Sequence, residues 1–517
     1  MTFRPEMVGA CEAAKIAPLM VQYLQGRCLD VGSGPGKVWP PLTGIDIATN
    51  GGRPVTDMVG DGRDLSMFAD EAFDGVFSSF LLQMFEPSET AKVLAEWASK
   101  IKVGGHLVLY VPDADQVPDE HLAGYKRAFR RGEIEALLRD QSAWGWELRE
   151  SEVRSNADEY GLLVVARKAE RGWSEAVWER NPGGRKRALV IRLGAFGDAF
   201  VAASTFPGLK EQGYHLTVNG NLNTYEVLKH DPHVDEWFIQ DKDFVPNEML
   251  GPYWTGLGQR YDRIVNLSES VEGLLLTLPG RLNHSYSYEA RRAIYDDVNY
   301  LEHTNNVAAV PHEFSNARFH ATDDERRWAR AVRDRMNGPV IAWCVNGSSM
   351  HKVYPFVQVV GKWLLDKTPA HLVLYGDPGV GLQLQRAIIE CLQRDGCDVS
   401  RVLGVADKWK IRQSLAFAQV VDCIVGPETG PMNAVAVEVV QKVLYLSHST
   451  AANLTKHWRN TTVLIPDVAC HPCHQLHSTW EFCHRSAETG AAVCASSITP
   501  SAVFDAIMGA IGARKAA

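Results

Sequence analysis

The sequence predicts an α/β protein built from three Rossmann-like blocks in series. Three observations carry this reading. The chain has 517 residues, too many for one core at roughly 150 residues per domain. Strand and helix signals alternate almost throughout, the pattern of parallel sheets with crossover helices. Short apolar strands also run into glycine turns at Val31-Gly32, Leu193-Gly194 and Val425-Gly426.

In the first block the strands are Cys28–Val31, Thr43–Ile47, Phe73–Ser78, His106–Val111 and Gly161–Arg167. Pro40-Pro41 leaves almost no room for a helix between the first two. A periodic helix over Ser88–Lys100 precedes Val103-Gly104-Gly105, read as a turn. The polar stretch Lys168–Arg187, holding Asn181-Pro182-Gly183-Gly184, is the clearest linker. A second strand-loop-helix start follows at Ala188–Gln212. A charged helix over Asp323–Met336 ends at Asn337-Gly338-Pro339, and a third block opens with the apolar strand Val340–Val345. It continues through Leu372–Tyr375 and Val420–Val425 to a terminal helix near Ser501–Ile511. The expected boundaries are therefore 1–168, a linker 169–187, then 188–336 and 337–517.

An apolar fraction of 45% with 22% charged residues excludes a largely disordered chain. No run approaches the ~18 apolar residues of a membrane span, and the N-terminus lacks an apolar signal core. A cytoplasmic protein with at most peripheral membrane contact is expected. A net charge of −9 argues against nucleic acid as the main partner, because a phosphate backbone needs a basic surface.

The first chemistry-bearing motif is Leu29-Asp30-Val31-Gly32-Ser33-Gly34-Pro35-Gly36. Small residues after a strand let the backbone turn sharply and approach a ligand closely. Asp46 closes the next strand, where a carboxylate can accept both hydroxyl protons of a ribose. Asp61-Gly62 follows a third short segment, within reach of an adenine amino group. With Phe73-Asp74-Gly75-Val76-Phe77-Ser78-Ser79 and Lys102-Val103-Gly104-Gly105-His106-Leu107, this block resembles class I S-adenosylmethionine-dependent methyltransferases over roughly residues 10–168. The resemblance implies that Asp30, Gly32, Gly34, Gly36, Asp46 and Asp61 contact S-adenosylmethionine. Related enzymes often carry a polar His and Glu-His pair after the fourth strand; Phe80-Leu81-Leu82-Gln83-Met84-Phe85 stands here instead. The acid/base groups for deprotonating a methyl acceptor are missing there, and a docking module is the alternative.

Further on, Ala188–Leu193 is an apolar strand, Gly194-Ala195-Phe196-Gly197 a glycine turn, and Asp198 an acid at a helix N-terminus. An Asp there is usually a cap, but the glycines open space in front of it. The stretch Val421–Asn433 repeats the logic. Glu428, Thr429 and Gly430 precede a helix whose free N–H groups and positive end suit a diphosphate, and Pro431 fits its first turn. The polar loop Asn346–Pro355 supplies Ser348, Ser349 and one lysine, Lys352.

Residues 188 to about 512 resemble the ADP-heptose:lipopolysaccharide heptosyltransferases, glycosyltransferase family nine, of GT-B fold. The motifs are Arg192-Leu193-Gly194…Gly197-Asp198, Asn266-Leu267-Ser268, Gly347-Ser348-Ser349…Lys352…Pro355 and Gly426…Thr429-Gly430-Pro431-Met432. The resemblance implies inverting, metal-independent sugar transfer from a nucleotide diphosphate. Asp198 would be the general base, while Lys352, Ser348, Ser349, Glu428, Thr429, Gly430, Pro431 and Met432 would hold the donor. Many members have Asp where Glu428 stands and His where Asn433 stands, departures that bear on donor identity.

Of ten cysteines, Cys11, Cys28, Cys344, Cys391, Cys397 and Cys423 read as reduced core thiols. Cys470, Cys473, Cys483 and Cys494 cluster at spacings that can close a tetrahedral site for structural zinc or iron. The fourth cysteine is spaced as in the iron-finger loop of autotransporter heptosyltransferases, although the exact gaps differ. Taken together, the expectation is a transferase moving a heptose-like sugar from an ADP-heptose-like donor to a lipopolysaccharide-type glycan, fused to a methyltransferase-like domain. Protein hydroxyls are the alternative acceptor, and an oligomer is compatible with the sequence.

Overall fold

The computed structural model describes residues 12–34, 37, 39, 41–50, 53–140, 143–155, 159–175, 184–240, 245, 250–268 and 285–516. Gly36, most of the Asn181-Pro182-Gly183-Gly184 stretch and Cys11 lie outside them. The chain forms two compact units, Met1–Arg187 with Ile239–Arg263, and Ala188–Phe238 with Ile264–Ala517.

The first unit is built on an eight-stranded sheet. Its strands are β1 (Cys28–Val31), β2 (Thr43–Asp46), β3 (Met58–Val59), β4 (Phe73–Ser79), β5 (Ile101–Pro112), β6 (Gly145–Arg154), β7 (Gly161–Ala169) and β8 (Trp173–Glu175). Across the sheet they run β3-β2-β1-β4-β5-β7-β6-β8. β7 is antiparallel to both its neighbours, whereas the pairs β1·β2, β1·β4, β4·β5 and β2·β3 are parallel. Helix α1 (Glu12–Met20) precedes β1, and α2 (Thr90–Lys100) lies between β4 and β5. In α2 the buried Val93, Leu94, Trp97 and Ala98 recur at helical spacing, and Trp97 Nε1 donates to the Gly62 carbonyl at 2.6 Å. The expected turn at Val103-Gly104-Gly105 instead lies inside β5. Gly104 takes φ +89° there, so the chain bends without leaving the sheet.

The helix Leu250–Arg260 belongs to this first unit and packs on α1. Arg260 Nη1 donates to Glu150 Oε1 at 2.7 Å, Tyr23 bonds the same carboxylate, and the pair is almost fully buried, with side chains 3% and 1% exposed. A charge so far from water must be paired.

The second unit holds two sheets. The first contains β9 (Arg187–Arg192), β10 (His215–Gly220), β11 (Glu236–Ile239) and β12 (Arg263–Asn266), in the order β11-β10-β9-β12. The second contains β13 (Val340–Cys344), β14 (His371–Tyr375), β15 (Val402–Gly404), β16 (Cys423–Gly426), β17 (Gln441–Tyr445) and β18 (Thr461–Leu464). It is wholly parallel in the order β15-β14-β13-β16-β17-β18. That is the doubly wound order, and every residue of β13 is buried. Helices α3 (Phe196–Ala203), α4 (Tyr300–Val307), α5 (Asp323–Arg333), α6 (Ile411–Ala418), α7 (Gly430–Ala434) and α8 (Pro500–Ala516) complete the frame used below. One contiguous core runs through both sheets, including Val190, Phe200, Ala342, Leu415, Met432 and Leu444. Arg412 of α6 bridges the halves, with Nη2 on Glu325 Oε2 at 2.8 Å and Nη1 on the Glu226 carbonyl at 3.0 Å. Glu325 also closes a capping box with Thr322 at the start of α5. The expected α/β class with Rossmann-like blocks holds. Among the described residues no helix is long and apolar enough to cross a membrane.

Arg260→Ala strands a buried carboxylate and is expected to lower the stability of the full chain by about 3–5 kcal/mol. The double variant Glu150→Met/Arg260→Leu should recover most of that loss in denaturant unfolding.

Candidate functional site

In an open parallel sheet, ligands bind beyond the strands' carboxyl ends where the strand order reverses. In the first unit this place lies between β1 and β4. Gly32 and Gly34 take φ +78° and +61°, a left-handed conformation that favours glycine. Burial pushes the Asp30 carboxyl up to about 8, with Lys37 opposing. Asp46 Oδ2 accepts from Gly34 N at 2.9 Å and Oδ1 from Ala48 N at 2.8 Å. A carboxylate has about four lone-pair positions, so two still serve an outside hydroxyl. Asp61 pairs with half-exposed Arg63 at 2.7 Å. Leu81 packs on the loop, since a Cβ at Gly32 or Gly62 would lie 2.7 or 3.1 Å from its Cδ2. The described residues expected to hold the cofactor thus gather at one sheet end, beneath an apolar side chain.

In the second unit the reversal points lie between β9 and β12 and between β13 and β16, and the loops leaving them border a cleft of about 640 Å³. Asp198, Ser348, Ser349, Lys352, Glu428, Thr429, Gly430 and Pro431 all line it. Met432 does not: its side chain is fully buried in the core.

Asp198 is not the cap of α3. Ala195 holds that position without a side-chain bond, and Asp198 sits in the first turn. Its Oδ2 lies 2.9 Å from Arg192 Nη2, and the Arg192 side chain is only 2% exposed. Arg192 Nη1 in turn donates to the Leu267 carbonyl at 2.7 Å, and Leu193 N donates to Ser268 Oγ at 3.1 Å. The Asn266-Leu267-Ser268 segment therefore anchors the residues that hold the acid. Arg192 went unassigned in the sequence reading, although an arginine ending an apolar strand was the available signal.

Lys352, which lines the same cleft, donates from Nζ to the Glu428 carbonyl at 2.8 Å. The Glu428 carboxylate faces away from a ligand's needs, accepting from Ser447 N at 2.9 Å and Ser447 Oγ at 2.8 Å. Thr429 also lines the cleft, its hydroxyl beside the buried Cys344 thiol. Helix α7 has only five residues, so the dipole expected at its start is small. What it offers is the Gly430 N–H, which has no helical acceptor. The starts of α3 and α7 touch. A Cβ on Gly430 would sit 2.8 Å from Phe196 Cβ, and one on Gly197 3.0 Å from Asn433 Nδ2. Tyr300, His448 and His477 also line the cleft and were absent from the sequence-based site.

The four clustered cysteines come together in one loop region, and each of Cys473, Cys483 and Cys494 is pushed up first by burial and then by other thiols of the set. All nine described cysteines are free thiols. Among the described residues, however, no group of three or more His, Cys, Asp or Glu is arranged to hold a metal ion. Hydrogen bonds tie the loop down: Arg291 Nε to the Cys473 carbonyl at 3.0 Å, Tyr288 to the Ala469 carbonyl at 2.9 Å, and His474 to Asp296 at 2.7 Å.

Comparison with known proteins returns both resemblances read from the sequence. Residues 29–109 match the family model described as a methyltransferase domain. No curated protein matches the chain. The ADP-heptose lipopolysaccharide heptosyltransferase II of E. coli is similar at 16% identity and a TM-score of 0.46, over 64% of this chain and 99% of that one. A family nine glycosyl transferase from Veillonella parvula is similar at 13% identity and a TM-score of 0.45, over 63% and 97%. A SAM-dependent methyltransferase from Archaeoglobus fulgidus is similar at 16% identity and a TM-score of 0.23, over 30% and 91%.

Gly430→Val would wedge α3 and α7 apart. It is expected to cost about 1–3 kcal/mol in denaturant unfolding, with Gly430→Ala costing less.

Proposed function

We propose that the second unit is an inverting sugar transferase that uses a nucleotide-diphosphate sugar. The observation that supports this best is the lining of one cleft, which joins an arginine-held carboxylate with a lysine, the Thr429 side chain and the N–H that opens α7. A sugar diphosphate fits that lining in one direction only. Its diphosphate meets Lys352, Thr429 and Gly430, and its anomeric carbon faces Asp198.

In the reaction the acceptor oxygen attacks the anomeric carbon on the face opposite the diphosphate. The carbon–oxygen bond to the diphosphate breaks, the electron pair leaves with it, and the acceptor proton passes to Asp198. Arg192 Nη2 holds the Asp198 carboxylate at 2.9 Å, and a carboxylate is a weak base. Proton transfer therefore comes late, once the acceptor oxygen has begun to bond. Lys352 and the Gly430 N–H stabilise the leaving charge, in a site that needs no reorganisation at that moment. A heptose-like sugar on an ADP-type carrier is the donor in this reading, and a surface-glycan hydroxyl is the acceptor.

The first unit is proposed to bind S-adenosylmethionine in the β1/β4 crevice, with Asp46 on the ribose and Asp61 near the adenine. Leu81, packed on Gly32 and Gly62, favours a second reading in which this unit only docks or positions the transferase.

Asp198→Asn keeps the shape and removes the base. Transfer, followed as nucleoside diphosphate released from a panel of nucleotide sugars with a glycan acceptor, should fall about 10²–10⁴-fold. Unchanged turnover would refute the assignment. Titration calorimetry of the full chain with S-adenosylmethionine should give binding heat that Gly32→Val abolishes. Absence of heat at saturating concentration leaves the docking reading.

A further inference from the structure

The mechanism above leaves unused a buried polar chain on the cleft wall. His448 follows β17 and lines the cleft, as does Tyr300 of α4. Between them lies Ser449, fully buried, with Oγ 2.7 Å from Tyr300 Oη and hydrogen-bonded to His448 Nδ1. The serine has one proton to give. A phenol is more acidic than a serine hydroxyl, which favours the sense Tyr300 to Ser449 to His448 Nδ1. An imidazole that accepts at Nδ1 carries its proton on Nε2. His448 is 3% exposed, and its Nε2 has no hydrogen bond to a described residue.

The surroundings favour a neutral ring. Burial, then Lys352, His474, His477 and His471, hold His448 well below the usual imidazole range. His351, ring centroid 5.3 Å away, is held down to about 2 by burial, then by His448 and Lys352. The Glu428 carboxylate, which lines the same cleft, is already engaged by Ser447. Lys352 has given one of its donors to the Glu428 carbonyl. A second buried cation beside it would carry a heavy desolvation cost, whereas a fixed neutral donor adds stabilisation without one.

We propose that His448 is a diphosphate-binding residue, held by Ser449 and Tyr300 as its Nε2–H tautomer and donating that proton in a hydrogen bond to an oxygen of the leaving diphosphate. Ser449 and Tyr300 act through it as positioning residues. The inference rests on the transferase reading of the cleft.

The test uses the full chain labelled with ¹⁵N-histidine, inorganic pyrophosphate as the probe, and long-range ¹H–¹⁵N correlation spectra assigned with His448→Gln. The wild-type His448 should appear as the Nε2–H tautomer at pH 7, and pyrophosphate should shift its Nε2 signal. Ser449→Ala and Tyr300→Phe should each turn that signal into a tautomer mixture. His448→Ala should weaken pyrophosphate binding about tenfold or more, the loss of a bond to a charged acceptor, while His448→Gln, which keeps an N–H donor at similar reach, should bind within about threefold of wild type. An Nδ1–H or doubly protonated ring in the wild type, or no Nε2 shift at saturating pyrophosphate, overturns the proposal. Both are read on the unaltered chain, so they decide even where a variant fails to fold. Asp198→Asn separates this from the reading beneath it: transfer that survives Asp198→Asn sinks the transferase, while an unshifted His448 with transfer lost in Asp198→Asn sinks only the present inference.

Discussion

Two side chains that are not there shape the second unit. Gly197 and Gly430 let the first turns of α3 and α7 meet closely: a Cβ on Gly430 would sit 2.8 Å from Phe196 Cβ, and one on Gly197 would press on Asn433 Nδ2 at 3.0 Å. Each helix leaves a different sheet, so their contact brings two strand-order reversals to one cleft. Asp198, one residue past Gly197, is thereby carried into the cleft that Lys352 and Thr429 also line. Wider separation would leave the acid and the lysine too far apart to act on one sugar.

Around that contact the buried charges are matched. Arg192 is held by Asp198 and the Leu267 carbonyl, Lys352 by the Glu428 carbonyl, and the Glu428 carboxylate by Ser447. Each partner fixes a group that would otherwise be costly in low dielectric. The positions that remain open are the ones a sugar diphosphate would fill. The first unit uses the same economy: Glu150 and Arg260 pair in its interior, and the pair binds a helix from far along the chain into that unit.

Much of this was legible in the sequence because buried parallel strands are continuous apolar runs. Val340–Cys344 reads as a strand for the same reason that it is wholly buried. The glycine turns after β1, β9 and β16 were equally plain, and they mark all three ligand-bearing loops. Other features depend on partners distant in sequence. β6, GWELRESEVR, looks like a solvated charged stretch until Glu150 finds Arg260, 110 residues away. His448 looks like one more histidine until Ser449 meets Tyr300, separated by 149 residues. Met432 sits inside a motif, yet helical spacing turns its side chain into the core while its neighbours face the cleft. Tyr288, Arg291 and Asp296 tie the cysteine-bearing loop from outside its motif, and their part could not be read from the cysteine spacing.

The polarity of the cleft is most directly checked by a crystal structure of the full chain soaked with a nucleoside diphosphate. The account requires difference density for the diphosphate against Lys352 Nζ and the Gly430 N–H, with the terminal phosphate directed toward Asp198. A diphosphate seated outside this cleft, or lying in it with its nucleoside end at Asp198, would contradict it.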